Sequence, residues 1–146
     1  MRRKTAANRL GRKAKTAVVF VNGCFDMLHE GHIRFLKEAK KKGGYLIVGL
    51  NSDISVRRNK GSSRPIEKQT VRKRKLLGTG IVDRVIIFND RSPIRLINTI
   101  RPDIIVRGHD QKIEKELRAF RFYRVRKYKD ISTTKLLKLL NGKGRA

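Results

Sequence analysis

The stretch AVVFVNGCFDMLHEGHIRFLKEAKKKGG, residues 17–44, carries the reading of the fold. Ala17 to Val21 is a short, uninterrupted apolar run rich in β-branched side chains. A strand that is apolar at every position suits a parallel sheet covered by helices on both faces. Asn22-Gly23 then reads as a turn. Ile33, Leu36 and Ala39 recur at helical spacing, so a helix is expected from near Gly31, with Gly43-Gly44 ending it.

The same alternation continues outward. Tyr45 to Leu50 is a second buried strand, and Asn51 to Pro65 reads as a loop. A strongly basic helical segment runs through Leu77, and a strand spans Arg84 to Phe88. Ser92 is placed as N-cap of the next helix, with Pro93 at its first position. Asp103 to Arg107 is another strand, Ile113 to Phe120 reads as helical, and Phe122 to Val125 is a short strand. Ser132 or Thr133 caps a last helix carrying Leu136, Leu137, Leu139 and Leu140. Alternating strands and helices predict an α/β fold: one Rossmann-like parallel sheet of about five strands covered by helices, with ligands beyond the carboxyl ends of the strands.

With 146 residues the chain suits a single compact domain. Residues 1–16 are basic, free of acids and nearly free of apolar side chains, so they are read as an arm preceding a domain at 17–146. The apolar runs are far shorter than the roughly 20 residues of a membrane-spanning helix, and no secretory signal is apparent. Cys24 is the single cysteine, so no internal disulfide forms. These features point to the cytoplasm, with organelle targeting by the basic N-terminus left open. The net charge of +26 creates a field that attracts polyanions, so nucleic acid or a ribonucleoprotein is a candidate partner through the arm. The plainer reading of the charge is a solvated surface, or an enzyme whose substrates are all phosphates.

Chemistry concentrates at Asn22-Gly23-Cys24-Phe25-Asp26-Met27-Leu28-His29-Glu30-Gly31-His32, where a strand end meets a helix start. Backbone N–H groups and the helix dipole favour phosphate there. Imidazoles can donate to phosphate oxygens as charge builds in phosphoryl transfer. A zinc site is disfavoured, because His109 is the only other histidine and Cys24 the only cysteine, too few for a tetrahedral set.

The segments Gly23-Cys24-Phe25-Asp26 and His29-Glu30-Gly31-His32 resemble the GxFD and HxGH signatures of the cytidylyltransferase-like superfamily. Asn51-Ser52-Asp53, Lys60-Gly61, Arg64-Pro65, Arg72 with Leu76, and Val82-Asp83 follow in the order found in bacterial heptose 1-phosphate adenylyltransferases. Glycerol-3-phosphate cytidylyltransferases are similar as well. Arg101-Pro102-Asp103, Gly108 with Asp110, and Ile131-Ser132-Thr133-Thr134 resemble both groups, so the similarity spans residues 17–140.

The resemblance implies a nucleotidyltransferase that joins the NMP of ATP or CTP to a sugar or polyol phosphate and releases pyrophosphate, with Mg²⁺ bound together with the NTP. On that reading His29 and His32 hold the reacting phosphates, and Lys60 reaches the acceptor phosphate. Gly23, Cys24, Phe25 and Asp26 shape the nucleotide pocket, Arg72 lies near the phosphates, and Gly108, His109 and Asp110 border the base. Ile131, Ser132, Thr133 and Thr134 present hydroxyls and helix N-terminal amides to the triphosphate. No residue is assigned to a resident metal, and a homodimer is among the assemblies implied. Three departures stand out: Asp130 where the family has glycine before ISTT, His109 between the paired residues, and a short, very basic stretch after Asp110. A repurposed, catalytically idle scaffold docked on RNA is the competing reading.

Overall fold

The computed structural model describes residues 16–126. They form a five-stranded, all-parallel sheet in the order β3-β2-β1-β4-β5. The strands are β1 (Ala17–Gly23), β2 (Gly44–Asn51), β3 (Arg84–Phe88), β4 (Ile104–Arg107) and β5 (Phe122–Arg124). The helices are α1 (Glu30–Lys41), α2 (Asp53–Lys60), α3 (Gln69–Gly78) and α4 (Ile94–Ile100), with a 3₁₀ turn at Lys115–Leu117. The expected Rossmann-like α/β architecture is therefore observed. Strand order reverses at β1, which pairs with β2 on one side and β4 on the other, and such a switch point opens a crevice at the carboxyl ends.

Strand alternation divides the core into two layers. Val19, Val21, Leu46, Val48 and Val106 pack with Leu36 and Ala39 of α1 and Leu76 of α3. On the other face Val18, Phe20, Ile47 and Ile105 pack with Ile97 of α4 and with Leu117. Both faces are covered, which accounts for the unbroken apolar runs. The return from α1 into β2 needs Gly43, where a Cβ would lie 2.6 Å from the carbonyl oxygen of Ala17.

Two aspartates tie strands at the opposite, amino edge of the sheet. Asp83 Oδ2 accepts from Leu46 N at 2.8 Å, while its own N–H donates to Leu46 O. Asp103 does the same with Val18. The Val82-Asp83 and Arg101-Pro102-Asp103 segments thus set strand alignment, far from the crevice.

Several local expectations are corrected. Asn22-Gly23 is not a turn: both residues pair with β2, and the chain turns at Phe25 and Met27, whose φ values are 48° and 54°. The expected loop 51–65 contains α2. Ser52 caps it by accepting from Ser55 N at 3.1 Å, Asp53 stands in the first turn, and Arg57, Arg58 and Lys60 in the last, a charge order that complements the helix dipole. Residues 113–120 form no α-helix, only the single 3₁₀ turn, with Glu114 as its extended N-cap residue (ψ 137°) paired to the Arg107 guanidinium. The cap of α4 also shifts by one: helix begins at Ile94, with Ser92 Oγ accepting from Ile94 N at 3.2 Å. The basic arm, apart from Thr16, and the last helix lie outside the described residues.

Candidate active site

At the carboxyl end of β1 the chain leaves the sheet through two left-handed residues, Phe25 and Met27, before entering α1. Asp26 pins this turn from beneath: its Oδ2 accepts from Ile66 N at 2.7 Å and its Oδ1 from Glu67 N at 2.9 Å. Glu67 reciprocates by accepting from Met27 N at 2.9 Å and pairs with Lys75. The turn after β1 and the segment before α3 are thereby one hydrogen-bonded unit.

The two histidines form the N-terminal cap of α1. His29 Nδ1 accepts from Gly31 N at 3.0 Å, and His32 Nδ1 accepts from His29 N at 3.2 Å, a reciprocal capping box built from imidazoles. A backbone N–H can only donate, so neither Nδ1 carries a proton. Each neutral ring therefore holds its proton on Nε2. The rings stack, with centroids 3.8 Å apart and planes 21° from parallel, and Phe25 meets His32 edge-on at 5.4 Å. Burial lowers the His29 pKa. His32 is pushed down to about 4, first by burial, then by His29 and Lys60, against a smaller opposing pull from Asp26. Both rings are neutral at pH 7. Among the described residues, His29 Nε2 is buried without a hydrogen-bond partner. A donor left in this state has a desolvation cost until an acceptor arrives.

The histidines border a cleft of about 1140 Å³. Single small-ligand sites take roughly 300–1,000 Å³, so the cleft lies just past the large end of that range. Gly23, Cys24, Phe25 and Asp26 form its floor beside His29 and His32. Lys60 enters from the β2 side, at the end of α2 rather than in a loop, and Gly61 follows with a φ of 97° that favours glycine. Gly108, His109 and Asp110 border the cleft from β4. Arg124 of β5 shapes that loop: its Nη1 donates to the carbonyls of Gly108, His109 and Gln111 at 2.7–3.1 Å.

Arg72, expected near the phosphates, is 1% exposed and is not among the residues lining the cleft. Its guanidinium donates to Glu67 O (2.9 Å), Cys24 O (2.7 Å), Asn51 O (2.8 Å) and Asp53 Oδ1 (2.8 Å). It is a strut joining the ends of β1 and β2 to the α3 segment. Ile131, Ser132, Thr133 and Thr134 lie outside the described residues.

Sequence reasoning placed Asn22 in the chemistry-bearing stretch without giving it a role, and missed Glu67, Arg107 and Glu114. Arg107, the last residue of β4, is 2% exposed. Its Nη1 donates to Lys112 O at 2.6 Å and lies 3.2 Å from Glu114 Oε2. Burial pushes its pKa down from the ordinary arginine value, against an opposing effect of Glu114. Among the described residues, no group of three or more His, Cys, Asp or Glu is arranged to hold a metal, and no helix is long and apolar enough to cross a membrane.

Comparison with known proteins agrees with this arrangement. The profile described as cytidylyltransferase-like matches residues 20–139. The bifunctional protein HldE of Campylobacter concisus is 52% identical over 103 residues, 70% of this chain and 22% of that protein. HldE of Syntrophotalea carbinolica is 48% identical over 99 residues, 68% of this chain and 20% of that protein. The chain thus spans about a fifth of the length of these relatives. A lipopolysaccharide core biosynthesis protein from Thermoplasma volcanium superposes with a TM-score of 0.68 at 35% identity, covering 77% of this chain and 98% of that one. Pantothenate synthetase from Thermus thermophilus shares the fold at 14% identity, with a TM-score of 0.59, over 94% of this chain and 70% of its own.

Proposed function

The chain belongs to the cytidylyltransferase-like family, and from that premise we propose that it is a nucleotidyltransferase joining the NMP of ATP or CTP to a sugar or polyol phosphate. The observation that carries this reading is the imidazole pair. Two neutral rings, both locked as Nε2–H donors by the helix they cap, stand at the switch point of the sheet with one donor unpaired. Nothing in a binding scaffold calls for such a pair, which is why the idle-scaffold reading is set aside.

In the proposed reaction a phosphate oxygen of the acceptor attacks the α-phosphorus in line. The new P–O bond forms as the bond to the β-phosphate bridging oxygen breaks, and its electron pair leaves with pyrophosphate. His29 and His32 donate to non-bridging oxygens whose charge grows along this path. Their neutrality at pH 7 keeps them available without a competing proton equilibrium. Lys60 holds the acceptor phosphate from the β2 side, while Gly108, His109 and Asp110 border the base on the β4 side. By its resemblance to the family's ISTT segment, Ile131 to Thr134, outside the described residues, is assigned to the triphosphate. Mg²⁺ entering with the NTP would supply charge neutralisation for the pyrophosphate leaving group. No covalent enzyme intermediate is required, so catalysis rests on positioning and electrostatics. Heptose 1-phosphate is the acceptor type favoured by the similarity to HldE proteins, with glycerol 3-phosphate second.

The test is pyrophosphate release with each of the four NTPs against sugar 1-phosphates, heptose 1-phosphate included, and glycerol 3-phosphate. Acceptor-dependent release with ATP or CTP supports the proposal. No release with any combination, in a preparation that is folded, counts against it.

A further inference from the structure

Two residues at the carboxyl edge of the sheet carry polar atoms that the mechanism above leaves unused. Asn22 and Arg107 each lie two positions beyond the paired residues Phe20 and Ile105, so they leave the sheet on the same face of adjacent strands. Both line the cleft, as does Glu114. Among the described residues, Asn22 Oδ1 and Nε and Nη2 of Arg107 are buried without a hydrogen-bond partner, and Glu114 Oε2 is buried with only its ion-pair contact to Arg107 Nη1 at 3.2 Å. Native interiors tolerate few such groups, and their concentration in three residues bordering one cleft calls for a ligand.

The pattern of free atoms identifies the ligand chemistry. Nε and Nη2 share one edge of the guanidinium and present two parallel N–H groups, a fork that matches two adjacent oxygens. The opposite side is taken, since Nη1 is held by Lys112 O and Glu114. A phosphate would satisfy the fork, but the Arg107 charge is already balanced by the Glu114 carboxylate, which would repel an incoming dianion. The unsatisfied oxygens of Asn22 and Glu114 need donors, and phosphate oxygens supply none. A pair of adjacent hydroxyls meets every requirement: each oxygen accepts from the fork while each proton goes to Asn22 Oδ1 or Glu114 Oε2.

We propose that Arg107, Glu114 and Asn22 form a subsite for a vicinal diol, a neutral unit carried both by a sugar or polyol acceptor and by the ribose of the NTP. The subsite rests on the nucleotidyltransferase reading and deepens it by naming what recognises the uncharged part of a substrate. The covering element is the 108–112 segment; its backbone is held by Arg124, while the Gln111 side chain reaches Asn22 O at 3.5 Å, the outer limit of a hydrogen bond.

The experiment is calorimetric titration of the full chain with Mg²⁺ and two probe pairs that differ in the diol. The first pair is ATP against 2′,3′-dideoxy-ATP, repeated with the CTP pair. The second, measured with a non-hydrolysable NTP present, is glucose 1-phosphate against cyclohexyl phosphate. In one pair the diol-bearing member should bind at least about tenfold tighter, as expected for hydrogen bonds to charged groups. That preference should fall to within about twofold in Arg107→Met and shrink in Glu114→Gln, which keeps the shape of the side chain and guards against a folding artefact. Loss in the nucleotide pair assigns the subsite to ribose; loss in the second pair assigns it to the acceptor. A preference absent from both pairs, or unchanged in both variants, overturns the subsite alone. So does an Arg107→Met variant that loses inorganic phosphate binding with no change in diol preference, which would mark an anion site. If no triphosphate binds the folded wild type, the nucleotidyltransferase reading falls and the subsite with it.

Discussion

Replacing Arg72 with methionine should destabilise the fold strongly while sparing the nucleotide affinity of the molecules that remain folded. The guanidinium makes hydrogen bonds of 2.7–2.9 Å to three backbone carbonyls and the Asp53 carboxylate. Methionine fills much of the stem volume but restores none of these bonds. Asp53 retains access to water, with a side chain 24% exposed. The Asn51 carbonyl is buried and that of Cys24 part-buried, and an orphaned buried group costs about 1–3 kcal/mol. Adding the lost charge-assisted geometry gives a total of about 3–5 kcal/mol, in line with breaking a buried ionic network. At roughly 3 °C per kcal/mol for a domain of this size, Tm should fall by about 10–15 °C. Arg72→Lys should recover little, because an ammonium cannot serve four acceptors spread around a planar fork. Thermal melts followed by circular dichroism read the stability, and NTP titration well below Tm reads affinity, expected within about threefold of wild type. A Tm within about 3 °C of wild type together with a tenfold or greater loss of NTP affinity would refute the strut assignment and return Arg72 to the phosphates.

Three further outcomes follow from the same geometry. The folded-state pKa of His32 is lowered from 6.5 to about 4, so its stabilising contribution is complete above pH 6.5 and disappears as pH falls toward 4; acid melts should show up to about 3 kcal/mol lost across that window, and a flat profile would contradict the imidazole cap. Lys60→Ala should weaken acceptor use with little change in NTP affinity, since Lys60 enters from the β2 side; calorimetry showing the reverse would reassign it to the nucleotide. If the basic arm binds polyanions, RNA affinity of the full chain should fall steeply with salt, and deletion of residues 1–16 should flatten that slope while NTP binding persists; negligible RNA binding at physiological salt would reduce the charge to a solvated surface.

The sheet was legible because strands buried on both faces are written as unbroken apolar runs, as in Val18 to Val21 and Tyr45 to Leu50. The α2 helix was not, since Ile54 and Val56 are its only large apolar residues and give no periodicity; its determinants are a serine cap and a charge gradient. The 113–120 segment failed the other way, its apolar spacing suggesting a helix where the chain makes a single 3₁₀ turn after the Glu114 that pairs with Arg107. At the site, the histidines announced themselves through position at a strand end, but their tautomers depend on backbone N–H groups that only the folded turn brings into place. Arg72 stood in a basic run and looked like its neighbours. Burial alone separates it from Lys73 and Arg74, and burial of one arginine among many leaves no mark in the sequence.

The central claim is that two neutral imidazoles drive nucleotidyl transfer, and it is tested most directly by removing the rings without removing the cap. Asparagine is a strong N-cap residue, and glutamine can reach back from the third helical position, so His29→Asn and His32→Gln should both fold with near-native Tm. Pyrophosphate release is then measured for wild type and both variants with saturating ATP or CTP and the best acceptor from the panel. The account predicts turnover lowered at least about a hundredfold in each variant, as for other lost transition-state donors. Turnover within about threefold of wild type in both folded variants would contradict it.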